Sequence, residues 1–289
     1  MSPVTVLIIC VNYNSDEAAL RYVPSVLAAA DRVPGRLALT IVLVDNSEKR
    51  TCSDFFARLR RLSQRIQPVK APGNLGYFGG VRYGFEAAQP LSSETDYLIV
   101  SNVDVTLRSD FFSILLALPP EPNCAVIAPR ILSQQRGRDL NPKIISRPSR
   151  LRMRFYDIVF AIPTLFVVYE ALSRYRDRLR RVMHPLRMRR GRAAFGHKHI
   201  YAPHGSFILF TRDYFARGGH LDYPVFLFGE EVFLAETIRL LDMRVIYTPD
   251  LVVYDDDHVS TGRVARRRIG ELHAEAAKYL LATYFPAPA

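Results

Sequence analysis

The sequence predicts an α/β fold: a mostly parallel, Rossmann-like central sheet flanked by helices, with a basic amphipathic helical insertion. Three observations carry that expectation. Short β-type apolar runs alternate with helical patterns through the first half, the way a parallel sheet covered by helices is encoded. Polar residues cluster just after those runs, where ligands bind in open sheets of this kind. One segment, residues 143–199, breaks the alternation with arginines around an apolar stretch.

The first run, residues 4–11, is read as a strand; it has no basic region before it and no small-residue cleavage site after it. Residues 39–44, 97–100 and 125–128 are further strands, separated by helical patterns at 16–30, 53–66 and 77–88. After the insertion come a strand at 206–210, a helix around 231–241, short strands at 245–247 and 251–253, and a basic terminal helix from about 263 to 284. With 289 residues, 49% hydrophobic and 23% charged, the chain has ordinary globular composition and enough length for one core domain carrying an insertion. Cys10, Cys52 and Cys124 are odd in number and lack metal-ligand spacing, which points to reduced thiols in a cytoplasmic protein.

The formal charge is +11, yet residues 143–198 alone hold fifteen Lys or Arg against three acids, so this segment carries the whole imbalance. Within it, residues 155–172 form an apolar stretch interrupted by Asp157, Pro163 and Glu170. A spanning helix needs roughly 20 mostly apolar residues, so an interfacial helix on an anionic membrane surface is expected instead. The alternatives are a helical hairpin packed on the core or on a second subunit, giving a homodimer. Nucleic acid is not expected as a partner, because the apolar centre suits lipid better than stacked bases.

Asp45 ends a strand and is followed by Asn46 and Ser47; its carboxylate suits the imide N–H of uracil or thymine, although such a trio by itself reads first as a turn or helix cap. The run from Gly73 through Asn74, Gly76, Gly79 and Gly80 opens a helix, so backbone and helix N-terminus can approach a phosphate or ribose. It lacks the Lys-Ser/Thr pair of a Walker loop. Asn102 and Asp104, two apart after an apolar strand, face one side and offer oxygen ligands to Mg²⁺ or Mn²⁺, with a diphosphate supplying the rest. Glu230 and Glu231 follow aromatic residues at a loop-to-helix junction, where an apolar pocket would raise a carboxylate's pKa and suit a general base. Acids also simply favour a helix's first turn. His258, after three aspartates, can complete a metal site with Asp104 or bond a leaving phosphate.

In this order the pieces resemble glycosyltransferase family 2, inverting enzymes of the A-type nucleotide-sugar-binding fold. The likeness runs from Val11-Asn12-Tyr13-Asn14 through Val44-Asp45-Asn46-Ser47, Gly73-Asn74-Leu75-Gly76 with Gly79-Gly80, and Asn102-Val103-Asp104. It continues with Gly205-Ser206-Phe207, Gly218-Gly219-His220-Leu221-Asp222, Phe226 to Glu231, and His258-Val259-Ser260. The Asn-Leu-Gly-aromatic-any-Gly-Gly form is similar to the rhamnosyl- and galactofuranosyltransferase branch. The resemblance implies donor binding by Asn12, Asn14, Asp45, Asn46, Asn74, Gly76, Gly79, Gly80, Arg82, Asn102 and Asp104, metal at Asp104 with His258, and Glu231 as base with Glu230 beside it. It divides the chain into a nucleotide-sugar-binding half (1–142), the insertion (143–199) and an acceptor and catalytic half (200–289). Two departures stand out: Asn102 replaces a common aspartate, and Glu231 is one methylene longer than the usual catalytic aspartate.

The implied activity is a single displacement that moves a sugar, best matched by rhamnose from dTDP-rhamnose, to a hydroxyl of a cell-surface glycan or polyprenol-linked acceptor. The base leaves dTDP- and UDP-sugars both open. A peripheral place on the inner face of the cell membrane follows from the insertion. The competing expectation is an inactive nucleotide-sugar or glycan binder of the same fold, motivated by the two departures.

Overall fold

Strand β1 (Val4–Asn12) is apolar on both alternating faces, and both are covered. Val6, Ile8 and Cys10 enter one hydrophobic core, and Leu7, Ile9 and Val11 the other. A strand with no polar face must lie inside a sheet packed on both sides. A computed structural model shows this arrangement and describes residues 2–48, 52–89, 95–135, 137–183, 198–256 and 266–287.

The sheet is assembled from β1, β2 (Leu37–Asp45), β3 (Ile66–Lys70), β4 (Tyr97–Asn102), β5 (Val105–Leu107), β6 (Cys124–Ser133), β7 (Arg138–Asp139), β8 (Lys198–Ile200), β9 (Phe207–Thr211) and β10 (Arg244–Asp255). Its order is β3-β2-β1-β4-β9-β6-β10-β5, with β7 on β6 and β8 on β10. β1 to β4, β6 and β10 run one way, while β5, β7, β8 and β9 run the other, so the sheet is mostly parallel as expected.

Helices α1 (Asp16–Ala30), α2 (Ser53–Leu62) and α4 (Phe111–Leu115) lie over the first core. Helix α3 (Tyr77–Ala87), the short α7 (Arg212–Ala216), α8 (Glu230–Leu240) and α9 (Arg266–Tyr284) cover the second. α5 (Arg150–Ala161) packs on α9, and α6 (Pro163–Met183) follows directly.

Two boundaries differ from expectation. The helix expected over 53–66 stops at Leu62, and Ile66 already pairs with Ile41 in β3. The strands expected at 245–247 and 251–253 are one strand, β10, whose register on β6 shifts between Thr248 and Val252. Pro249 and Asp250 at that shift look like a turn in the sequence, but the ladder on either side carries the chain through.

Candidate active site

The parallel strands deliver three polar loops to one edge of the sheet, the edge at their carboxyl ends. β1 ends in Asn12 and β2 in Asp45, directly paired in register. Both residues are fully buried, as are Asn46 and Ser47. Buried polar groups must find partners, and these find each other. The Asn12 amide donates to Asp16 at 2.8 Å and to Asp45 at 3.3 Å. Asp45 accepts from the Ser47 hydroxyl at 2.6 Å, the Cys52 thiol at 2.7 Å and the Lys70 ammonium at 3.2 Å. Asn14, exposed and at φ 50°, is held by its N–H on the Ser47 hydroxyl.

Asn46 joins this cluster to the glycine-rich loop. Its Nδ2 donates to the Gly76 carbonyl at 2.8 Å and to Asn74 Oδ1 at 3.2 Å, and its Oδ1 accepts from the Leu75 N–H at 2.9 Å. Gly76 then caps α3 at φ 75°, with its backbone pressed so closely on Phe226 that a Cβ would stand 1.8 Å from that carbonyl oxygen. Only glycine combines that φ with that approach. Gly79 and Gly80 occupy the first turn of α3, where Gly80 lets the helix pack closely on Val11 and Asn46: a Cβ there would stand 3.2 and 3.3 Å from them. Arg82, 57% exposed, points instead toward Glu86 and Asp222, at 3.4 and 3.8 Å.

Asn102 closes β4, with its N–H on the Ser206 carbonyl. Val103 enters the first core, and Asp104, 5% exposed, sits at the turn into β5. The Asp104 carbonyl accepts from the Asp256 N–H at 3.0 Å, so the end of β10 is moored at Asp104. His258, two residues farther on, lies outside the described residues, as do Val259 and Ser260.

Glu230 and Glu231 begin α8 behind Gly229, whose φ of 84° places the turn. Their side chains diverge. Glu230 is buried and accepts from the Phe228 N–H; burial, reinforced by the charge of Glu231, pushes its carboxyl up to about 8. The raised carboxyl expected at this junction is thus Glu230, and Glu231 differs. Burial pushes it up, but Lys143 at 3.4 Å and His204 outweigh that and hold it below the ordinary carboxylate range. Its Oε1 lies against Gly205, where a Cβ would come within 3.3 Å, so the longer glutamate has room to fold back.

Tyr77 ties the two halves together. Its hydroxyl donates to the Gly205 carbonyl at 2.7 Å. Burial pushes the phenol well up, and the charges of Glu230, Asp104 and Glu231 add to it. Asp104, Glu230 and Glu231 thus all act on this one phenol through their charge.

Lys143, His204 and His273 were missed from sequence. Asn141 brings the first two together: its Oδ1 accepts the His204 N–H at 2.7 Å, and its Nδ2 holds the Pro129 carbonyl. His273 stacks on Phe228 at 3.8 Å and is held neutral by burial, down to about 4. Pro-His-Gly-Ser at 203–206 is the available signal for His204, since its Gly-Ser part belongs to the family resemblance.

Among the described residues no three His, Cys, Asp or Glu side chains cluster as a metal cage. The described donor set is one carboxylate, Asp104, beside the Asn102 amide; this fits a cation only when a diphosphate shares it.

The chain matches the model of glycosyl transferase family 2 over residues 6–218. No curated protein sequence matches significantly. Among solved structures, GalNAc-T7 with UDP, GalNAc and Mn²⁺ superposes with a TM-score of 0.60 at 14% identity, covering 91% of this chain and 45% of that one. The mannosyltransferase PcManGT from Pyrobaculum calidifontis, in complex with GDP-Man and Mn²⁺, gives 0.52 at 14% identity, covering 96% and 70%. S. aureus TarS gives 0.53 at 12%, covering 97% and 44%. The chain therefore spans less than half the length of GalNAc-T7 and of TarS.

Proposed function

The chain belongs to glycosyl transferase family 2, and from that premise we propose that it moves a sugar from a nucleoside diphosphate donor to an acceptor hydroxyl with inversion at the anomeric carbon. The observation that carries this is the Tyr77 hydroxyl on the Gly205 carbonyl at 2.7 Å, which joins the first turn of α3, next to the glycine-rich loop, to the loop against which Glu231 lies. A donor lying along Asn14, the α3 N-terminus and Asp104 would present its anomeric carbon toward Glu231.

Glu231 is the base. Held ionised by Lys143 and His204, it is ready to accept a proton at neutral pH, when Glu230 beside it is protonated. The two carboxyls differ because burial and the charge of its neighbour raise Glu230, whereas Lys143 and His204 outweigh burial at Glu231. Asp45 reads the imide of uracil or thymine once one of its internal partners yields, and dTDP-rhamnose remains the favoured donor. A divalent cation shared between Asp104 and the diphosphate would offset the charge of the leaving group. The acceptor is the hydroxyl of a glycan, free or lipid-linked.

Slow transfer to water tests this without knowledge of the acceptor. A panel of dTDP- and UDP-sugars is followed by proton NMR, and the first sugar released is expected to have the anomeric configuration opposite to the donor's. Glu231→Gln should slow release by at least about a hundredfold while nucleotide binding persists. Release with retained configuration, or at an unchanged rate in Glu231→Gln, contradicts the assignment.

A further inference from the structure

The insertion carries two apolar stripes that nothing among the described residues covers. In α5, Leu151, Phe155 and Ile158 are 77%, 51% and 49% exposed, and Ile162 continues the line at the bend. Their spacing of four, three and four is one helical face. In α6, Leu165, Val168, Leu172, Tyr175 and Leu179 recur at three and four residues, again one face, all at least 40% exposed. Eleven of the thirteen large exposed hydrophobics of the described chain lie between Ile145 and Leu179, so this is a concentrated patch and not ordinary scatter.

The other faces of these helices are already used. Met153, Val159 and Phe166 are buried, and Phe166 packs within reach of Gly270 on α9. Phe160 and Phe166 contact the ring of His273, with centroids 5.1 and 5.9 Å away, and His273 stacks on Phe228 at the catalytic loop. At the root, Arg147 grips the buried Glu236 of α8 through two nitrogens at 2.7 and 3.1 Å, joined by the Tyr201 hydroxyl at 2.6 Å. The hairpin is thus fastened to the catalytic helix while its outer stripes face solvent.

We propose that the α5–α6 hairpin docks this protein on an anionic bilayer, with the bend at Ile162 as its leading edge, so that the transferase site meets acceptors carried on that bilayer. Three alternatives fit less well. No single described helix is long and apolar enough to cross a membrane; α5 and α6 pass that test only as a pair bent through 115°. α5, with 12 residues, is about 18 Å long against a hydrocarbon core of about 30 Å, and its inner face is spent on α9. A second copy would cover the stripes but bring together two segments of fifteen bases and three acids each, with like charges facing. Nucleic acid would meet the arginines and leave the stripes wet. A bilayer satisfies both at once: the stripes enter the acyl boundary, and the exposed Arg152, Arg154, Arg174 and Arg176 reach phosphates at their flanks.

The docking itself does not depend on the transferase assignment; only the bilayer-borne acceptor does. Flotation compares vesicles of pure phosphatidylcholine with vesicles of equal parts phosphatidylcholine and phosphatidylglycerol. The full chain is expected to float with the anionic vesicles at least about tenfold better than with the neutral ones. Replacing Leu151, Phe155 and Ile158 together by serine, or separately Leu172 and Tyr175, should weaken this at least about tenfold with an unchanged melting temperature. No flotation of the full chain overturns the proposal, as does equal flotation of correctly folded serine variants. So does a dimer that the serine changes dissolve while vesicle binding stays absent. A chain that floats but is never stabilised by any nucleotide breaks the transferase assignment and leaves the docking standing.

Discussion

The two sides of the candidate site are built on opposite principles. On the proposed donor side, Asn12, Asp45, Asn46, Ser47 and Asn74 bond to one another, to backbone and to the nearby Asp16, Cys52 and Lys70, so the polar cluster is knit by local hydrogen bonds. On the acceptor side, Glu230, Glu231, Lys143, His204 and His273 come from segments far apart in sequence, and their charges are balanced against each other through space. The first side is a scaffold that shapes a loop and a helix N-terminus. The second is an electrostatic arrangement that sets which carboxyl is ionised. Substitutions on the donor side should therefore register first as stability, and those on the acceptor side as pH dependence.

The sharpest way to break that contrast is Gly76→Ala. Its Cβ would meet the Phe226 carbonyl at φ 75°, and a loss of about 3 kcal/mol in denaturant unfolding is expected. A neutral result would mean the loop is not held as described. Asn46→Ala removes three bonds and should cost about 2 kcal/mol, measured the same way, with weaker nucleotide binding alongside.

On the acceptor side, Glu230 is raised from 4.5 to about 8, so the folded chain holds that proton more tightly than the unfolded one. The stability it supplies is complete below 4.5 and is lost as pH rises through about 8. Melting temperature plotted against pH should thus fall less steeply over that window in Glu230→Gln than in the parent. Smallest is Lys143→Met. Removing the cation lets burial raise Glu231, so the acidic limb of the donor-hydrolysis profile should move to higher pH, modestly because Lys143 is half in solvent. A limb that stays in place would assign the ionisation of Glu231 to His204 alone.

Legibility in the sequence followed the same division. The strands at 4–11, 39–44 and 97–100 showed themselves because parallel strands buried on both faces are continuous apolar runs. Asp45, Asn46, Asn74 and Gly76 stood out because turn chemistry is local. What sequence did not show was that Asn46 serves the loop's backbone, since its partners lie 28 to 30 residues away. Lys143 and His204 had no local mark at all; they matter because Asn141 joins their loops beside α8. The sequence could not separate the two glutamates for that reason: aromatic neighbours are visible in sequence, and a cation 88 positions away is not. The insertion's charge excess was plain, whereas the two exposed stripes needed the bend at Ile162 to be seen.

The central claim is a nucleoside diphosphate site anchored at Asp104 and sharing its cation with the diphosphate. Thermal shift with dTDP and UDP, each with and without Mn²⁺, tests it on the parent chain and on Asp104→Ala. Stabilisation by one nucleotide, present only with the metal and absent in Asp104→Ala, is the expected result, because a ligand held only by the folded state raises its melting temperature. The same stabilisation surviving in Asp104→Ala would contradict the assignment.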